Sequence, residues 1–356
     1  MAFDPLQNIF TLPGLQALNT EATHDGVTNS PAPNAAQPAL GGGTPPTADT
    51  ADIVEPDPDY ETGEGNLGLG KDLGMKIFDE PLFVGALSMH EPIQGFLGNC
   101  PLAAVLCAMA HVPAQRNRLR NEIIKEVAMP VASNRQRKPY EYFPTDLPSP
   151  IPMASPKGPF LSDRLLAVRF QRTFPVQALS TDIFEAGRLR KRLNAPKSVP
   201  VSSVLFVDLR FNEIHYMKSA SGALWPSIIE KAYAVGRGQN TYQGLEGSIG
   251  LAEVMRDLTG SAEEEHLVNG PDDTLPEITD KKLKSWLSQH TQRPIILGSP
   301  PTATLVTGNH TFAVIGKTKT TVKVIDALES DPASREIEVP MANIRENFHE
   351  IVRGPI

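Results

Sequence analysis

The chain has little cysteine and no long apolar run. Its 356 residues include two cysteines, Cys100 and Cys107, seven positions apart in one predicted helix. That spacing separates them by roughly 10 Å, too far for a disulfide, so the sequence predicts a disulfide-free fold suited to a reducing compartment. No apolar run approaches the ~20 residues of a membrane span, and the N-terminus lacks the layout of a cleaved secretory signal. We expect a cytoplasmic protein, or one secreted without a cleaved signal peptide.

Basic residues are missing from the first part of the chain. No Lys or Arg precedes Lys71, whereas ten acidic residues do. This stretch is rich in Pro, Ala, Thr, Gly and Asp, and such a composition cannot bury enough apolar area to offset chain entropy. Residues 1–68 are therefore predicted to be a disordered acidic leader, and residues 69–356 the folded domain. The net charge of −8 argues against nucleic acid as a partner.

A cysteine follows a glycine-containing loop and opens an apolar run. Residues 98–111 have the 3.6-residue periodicity of a buried helix, and Cys100 stands near its start. The partial positive charge of a helix N-terminus favours a thiolate, so Cys100 is predicted to be a nucleophile. The alternative is an unreactive buried cysteine, which is our interpretation of Cys107 inside the same run.

Gln94 stands six positions before Cys100. Its side-chain amide can lie beside the backbone N–H of Cys100, and two such donors form an oxyanion hole. Taken singly, Gln94 is an ordinary loop residue, and only its spacing to the cysteine suggests this role.

A histidine opens an apolar strand far downstream, at His310. A turn near Thr318 and a second strand follow, and antiparallel pairing about Thr318 places Asp326 beside His310. A carboxylate there can accept the imidazole N–H and orient the ring toward a thiol. The alternatives are a structural histidine and an aspartate that merely ends a strand. Asn343 is the next candidate for the orienting role.

The order of predicted elements indicates an α+β fold. Helices predominate in residues 69–215, which include the nucleophile helix, and strands predominate in residues 216–356. A cleft between a helical half and a strand-rich half is the usual place for a site in such a fold.

These motifs resemble those of the calpain family of papain-like cysteine proteases. The pattern Gln94-Gly95-x-Leu97-Gly98-x-Cys100 is similar to the nucleophile motif, and residues 309–314 (NHTFAV) are similar to the histidine motif. Residues 219–233, 242–248 and 257–260 resemble the segment that joins the two halves of the family's core. The resemblance covers residues 80–330 in outline, and a cysteine early with a histidine late is the papain-like order.

The resemblance implies a papain-like fold with Cys100 as nucleophile, Gln94 as oxyanion donor and His310 as general base. It also implies a substrate cleft lined at four further positions, which are Gly98, Gly247, Ser248 and Asn309.

The chain departs from the family pattern at three places. Pro101 replaces a tryptophan after the cysteine, Asp326-Ala327-Leu328 replaces an Asn-Pro-Trp motif, and Ser248 replaces a glycine. Without the tryptophan, we expect the bond between His310 and Asp326 to be less shielded from water. No EF-hand signature is present, so the sequence predicts no metal site and no cofactor.

The predicted function is a calpain-like cysteine endopeptidase that cleaves a protein or peptide through a thioester intermediate. An acidic leader without a signal peptide suggests that the protein is a bacterial secreted effector. Two alternatives stay open: an acyltransferase or deamidase with the same Cys-His pair, and an inactive protein-binding module of the same fold. The sequence assigns no oligomeric state.

Overall fold

The computed structural model of the chain describes residues 73–127, 151–152, 165–171, 198–237, 242–247, 249–268 and 277–356. The predicted leader, residues 1–68, lies outside these residues. All the described residues belong to one unit, Ile53–Ile356, in which helices and antiparallel sheets are mixed.

Seven α-helices are present in the described residues. They are α1 (Cys100–His111), α2 (Pro113–Arg118), α3 (Trp225–Gly236), α4 (Leu251–Thr259), α5 (Asp280–Leu287), α6 (Pro332–Arg335) and α7 (Ile344–Asn347). A π-helical turn, Leu119–Ile123, follows α2, and two 3-10 turns are Gln243–Leu245 and Met341–Asn343. No helix in the described part of the chain is long and apolar enough to cross a membrane.

The strands are mostly short. They are β1 (Leu73–Ile77), β2 (Pro92–Ile93), β3 (Ile124–Val127), β4 (Ile151–Pro152), β5 (Leu165–Arg169), β6 (Ser198–Ser202), β7 (Val204–Asp208), β8 (Glu213–Ile214), β9 (Lys218–Ser219), β10 (Glu263–His266), β11 (Ile295–Gly298), β12 (Thr311–Lys317), β13 (Thr321–Asp326), β14 (Glu336–Pro340) and β15 (Glu350–Arg353).

These strands form one large and three small antiparallel sheets. The large sheet has six strands in the order β10-β15-β11-β12-β13-β14. The small sheets are β4-β1-β7-β8, β3-β5-β6 and β2-β9.

The six-stranded sheet has an apolar core on each face. Successive side chains of a strand point to opposite faces, and β12 shows this clearly. Ala313 and Ile315 belong to the core that contains α1, whereas Phe312 and Val314 pack in the second core with Trp286 of α5. The sheet is therefore a layer between two sets of helices, and α1 lies against β12.

Helix α1 is buried almost all the way round, from Pro101 to Ala110. A helix that is apolar on every side belongs in a core, and burial of a leucine such as Leu102 contributes about 1.5–3 kcal/mol. Pro101 lies in the first turn, where its missing N–H removes no helical hydrogen bond. The helix begins at Cys100 rather than Gly98 and ends, as predicted, at His111.

The predicted division into a helical half and a strand-rich half is wrong in detail. Within the described part of residues 69–215 there are eight strands beside α1 and α2, and five of the seven helices lie in residues 216–356. The early strands pair over long distances, as when β1 pairs with β7. These strands are stabilised by partners far away in the sequence, so their local sequence patterns do not predict them.

Candidate active site

Cys100 is the first residue of α1 and is half-buried. The backbone N–H groups of a first helical turn have no acceptor within the helix, so that of Cys100 is available to a ligand. Cys107 lies two turns further along and is completely buried. The two predicted roles, a nucleophile and a core residue, thus correspond to two different environments.

The loop before Cys100 is held by hydrogen bonds to two other segments of the same chain. The backbone N–H of Gln94 donates to the Ala327 carbonyl at 2.7 Å, and that of Phe96 donates to the His215 carbonyl at 3.1 Å. A Cβ atom at Gly95 would lie 2.2 Å from the backbone of Tyr216, so only glycine allows this close approach. The oxyanion candidate therefore stands on a fixed loop.

The Gln94 side chain is buried and turned inward. Its Nε2 donates to the Leu97 carbonyl at 2.7 Å, whereas its Oε1 has no partner in the described residues. Because an amide nitrogen has two hydrogens, the second can point to an oxyanion near Cys100.

His310 and Asp326 are in direct contact. His310 Nε2 lies 2.8 Å from Asp326 Oδ1, which also accepts the backbone N–H of Leu328 at 2.8 Å. The Thr307 hydroxyl lies 3.5 Å from the other carboxylate oxygen. The carboxylate is therefore held by donors on both sides and can orient the ring through Nε2, which leaves Nδ1 for the thiol.

The strand register differs from the predicted one by two residues. Asp326 pairs with Phe312, not with His310, because the turn is closed by Thr318 and Thr321 and therefore lies later in the chain than predicted. The pairing also shifts between Val314 and Gly316. His310 directly precedes β12, and its ring reaches the carboxylate of Asp326, the last residue of β13.

The bond between His310 and Asp326 is buried, contrary to the expectation from the missing tryptophan. The Asp326 side chain is 1% exposed and the His310 side chain 6%. The Phe312 ring stands edge-on to the imidazole with centroids 5.0 Å apart. Shielding thus comes from the sheet itself and does not need an aromatic residue after the cysteine.

The pKa values of Cys100 and His310 are shifted in opposite directions. Burial opposes charge on both groups, but their mutual hydrogen bond and attraction outweigh it. The pKa of Cys100 is lowered by His310, and the pKa of His310 is raised to about 9 by Asp326 and Cys100. Burial raises the pKa of Cys107 to about 12. The site thus favours a thiolate beside an imidazolium, and only at Cys100.

Thr311 is a site residue that our sequence reasoning did not single out. Its hydroxyl and its backbone N–H both help to lower the pKa of Cys100 by hydrogen bonding to the sulfur. Thr311 opens β12, on the same face as Ala313, which packs in the core with α1. Its position directly after the candidate base is the signal that could have identified it.

A buried carboxyl group lies behind the nucleophile. Glu230 of α3 accepts hydrogen bonds from Asn99 Nδ2 at 2.6 Å and from the Met217 backbone N–H at 2.8 Å. Burial raises the pKa of Glu230 to about 7. Asn99 directly precedes Cys100, so this contact anchors the start of α1 to another helix. The sequence contains no local signal for it.

Three of the four predicted cleft positions are described. The Gly247 backbone N–H donates to the Gly98 carbonyl at 3.2 Å, so these two glycines are in contact. Gly247 has φ +62°, a left-handed conformation that favours glycine. Asn309 has φ 51° and directly precedes His310. Ser248 lies outside the described residues.

Two further side chains complete the description of the site. Phe96, in the loop before Cys100, is 53% exposed and stacks on His215 with ring centroids 4.9 Å apart, so this loop presents an apolar ring to solvent. Asn343, the alternative orienting residue, donates to Glu346 at 3.0 Å, while His310 contacts Asp326.

Comparison with known proteins assigns no family to the chain. A scan against protein-family models found no match, and a search of curated proteins found no significant one. Within the described ranges, no group of three His, Cys, Asp or Glu side chains could hold a metal ion.

Proposed function

We propose that the protein is a cysteine endopeptidase of the papain-like type, with Cys100, His310 and Asp326 as its triad. The observation that supports this best is geometric: His310 Nε2 lies 2.8 Å from the buried carboxylate of Asp326, and the same imidazole lowers the pKa of Cys100 at the start of α1. Structural histidines are common, but a buried His between a carboxylate and a thiol at a helix N-terminus is the arrangement that activates a nucleophile.

The chemistry follows from the contacts. The Cys100 thiolate attacks a peptide carbonyl carbon, and the carbonyl oxygen becomes an anion held by the Cys100 N–H and the second amide hydrogen of Gln94. The C–N bond then breaks, the His310 imidazolium gives its proton to the leaving amine, and a thioester remains. Neutral His310 next takes a proton from water, whose oxygen displaces the thiolate and releases the acid. Asp326 keeps the ring oriented throughout.

The architecture is compatible with a papain-like fold. A buried helix begins with the cysteine and packs on an antiparallel sheet whose strands bring the histidine and the aspartate to its N-terminal end. Together with the motif resemblance, this supports a calpain-like catalytic core as the family proposal.

The acyltransferase and the inactive binding module are the competing functions. An acyltransferase would use the same thioester but pass the acyl group to an amine, and a deamidase would attack a glutamine side chain. A binding module has no need for a buried Asp326 or a shifted His310, so the geometry favours an enzyme.

Peptides released from a protein lysate distinguish these functions. We expect wild-type protein to release new peptides, detected by mass spectrometry, and Cys100→Ala protein to release none. Labelling of the wild type by a thiol-directed peptide electrophile is the parallel measurement. Labelling without cleavage, with transfer to an added amine or deamidation instead, would favour the alternative enzymes. Absence of both cleavage and labelling would overturn the proposal in favour of a binding module.

A further inference from the structure

Arg335 is a completely buried arginine next to the candidate triad. It is the last residue of α6, directly before β14. In the pairing of β13 with β14, Ile325 lies opposite Glu336, so one step further Arg335 comes level with Asp326. The resemblance to the calpain family did not point to this residue.

The guanidinium group joins two distant segments of the chain. Its Nε donates to the Asp326 carbonyl at 3.1 Å, and its terminal nitrogens donate to the carbonyls of His90 and Pro92, the latter at 2.6 Å. It also lies 3.9 Å from Cys107 Sγ. His90 and Pro92 begin the loop that leads to Gln94. One side chain thus binds both the backbone of the orienting aspartate and the approach to the oxyanion donor.

Stability alone is a poor explanation for this arginine. Moving a guanidinium out of water costs several kcal/mol, and an apolar side chain of similar volume often packs at least as well. In the described residues, the oxygen atoms that Arg335 binds are all backbone carbonyls, whose fixed positions it can hold with its planar fork of donors. Arg335 therefore fixes the positions of these carbonyl groups relative to one another.

A second contact crosses the same junction. The Gln94 backbone N–H donates to the Ala327 carbonyl at 2.7 Å, one residue after Asp326. This is one backbone hydrogen bond, whereas Arg335 makes one hydrogen bond to the Asp326 carbonyl and two to the loop on the other side of the junction. A shift of Asp326 relative to the loop would move both the orienter of His310 and the Gln94 amide.

We propose that Arg335 is a positioning residue that holds Asp326 and the loop of Gln94 in a common register, and thereby sets the alignment of His310 with Cys100. The inference rests on the proposed triad but does not require that the substrate be a peptide. Its expected consequence is a property of the thiol: without Arg335, the support of Asp326 for the imidazolium weakens and the thiolate at Cys100 becomes less stable.

The test is the pH dependence of Cys100 alkylation by iodoacetamide in the full chain, followed by mass spectrometry between pH 5 and 9. For Arg335→Met we expect Cys100 to react about tenfold to a hundredfold more slowly than in wild type at pH 6, with rates converging at high pH. For Arg335→Lys, which keeps the charge but loses the planar fork, we expect a smaller loss of about threefold to tenfold at pH 6.

Arg345→Met is the matched control. Arg345 also binds backbone carbonyls, those of Leu267 and Ile278, and pairs with Glu277 and Asp280. Its loss should lower the thermal midpoint and leave the pH profile of Cys100 at its wild-type position, which separates positioning from a general loss of stability.

Each outcome decides the question. A folded Arg335→Met protein, with wild-type near-ultraviolet circular dichroism, that keeps the wild-type pH profile would overturn the inference. If Arg335→Met does not fold, Arg335→Lys decides in the same way. A wild-type Cys100 that titrates like an ordinary thiol would overturn both this inference and the proposed function, whereas an acid-shifted wild type with unchanged variants overturns the inference alone.

Discussion

The first residue and the interior of α1 place the same type of side chain in opposite environments. Cys100 begins the helix, is half-buried, and has its pKa lowered by His310 and Thr311. Cys107 lies two turns on, fully buried, and has its pKa raised to about 12. Arg335 stands near Cys107, yet its charge does not offset burial there.

This difference separates a cysteine whose thiolate is favoured from one whose thiol stays protonated. A free backbone N–H, a charged histidine and the donors of Thr311 come together at Cys100, and the helix interior offers none of these to Cys107. The following predictions test the comparison, beginning with the largest expected effect.

Selective alkylation is the most direct test of the two environments. At pH 6 a thiol with a pKa of about 12 is ionised roughly one part in a million, and one with a pKa below 9.0 more than about one part in a thousand. Iodoacetamide should therefore modify Cys100 at least about a thousandfold faster than Cys107. In denaturant the two should react alike. Comparable rates in the folded protein would contradict the assignment of Cys100.

Removing the orienting carboxylate should impair Cys100 without deleting it. We expect Asp326→Ala to lower turnover by about one to three orders of magnitude, less than loss of Cys100 or His310. Asp326→Asn should retain more activity, because an amide oxygen can accept the same hydrogen bond. Turnover is measured on a peptide released by the wild type. A fully active Asp326→Ala enzyme beside an inactive His310→Ala enzyme would place the third member elsewhere.

Glu230 should make the anchor of Cys100 sensitive to pH. Its pKa is raised from 4.5 to about 7. Between these two pH values the carboxyl group is protonated in the folded protein and ionised in the unfolded chain. The free energy of unfolding should therefore fall as pH rises from about 4.5 to 7, by roughly 2–4 kcal/mol from this group.

Denaturant unfolding of Glu230→Gln between pH 4.5 and 8 measures this contribution. The variant cannot titrate at this position, so its free energy of unfolding should fall less steeply than that of the wild type. Glu338→Gln, a change at an exposed glutamate, is the control and should follow the wild type. Parallel curves for Glu230→Gln and the wild type would refute the prediction.

The alkaline limit of activity should come from His310. Its pKa is raised to about 9, so the imidazolium that protonates the leaving amine is present below that pH and lost above it. We expect turnover to fall about tenfold per pH unit above about pH 9. Initial rates from pH 7 to 10.5 check this, with circular dichroism at each pH as the control for folding. A decline centred near pH 6.5 would indicate an ordinary histidine.

The smallest expected effect is at Cys107. Cys107→Ala removes one buried sulfur atom and should lower the free energy of unfolding by about 1 kcal/mol, with turnover within about twofold of wild type. Cys100→Ala, its partner on the same helix, should abolish turnover. Thermal unfolding and initial rates measure both. A large loss of activity in Cys107→Ala would mean that the environments of Cys100 and Cys107 are not independent.

The sequence by itself determined the local elements and singled out the candidate reactive groups. The apolar periodicity after Cys100 predicts α1 to its last residue, and β13 (Thr321–Asp326) is the second strand expected after the turn. The nearness of His310 to Asp326 also follows from one hairpin, because His310 directly precedes its first strand and Asp326 ends its second. Such signals survive because they depend only on neighbouring residues.

Tertiary structure decided the register, the shielding and the supports of the site. The pairing of Asp326 with Phe312 depends on where the turn closes and on the shift near Gly316. Arg335 reaches carbonyls 243 and 245 positions away, and Glu230 reaches Asn99 over 131. A buried charge needs partners that are close in space, and a linear pattern does not record them. Which cysteine begins the helix follows from the sequence, whereas the contacts that hold it follow from packing.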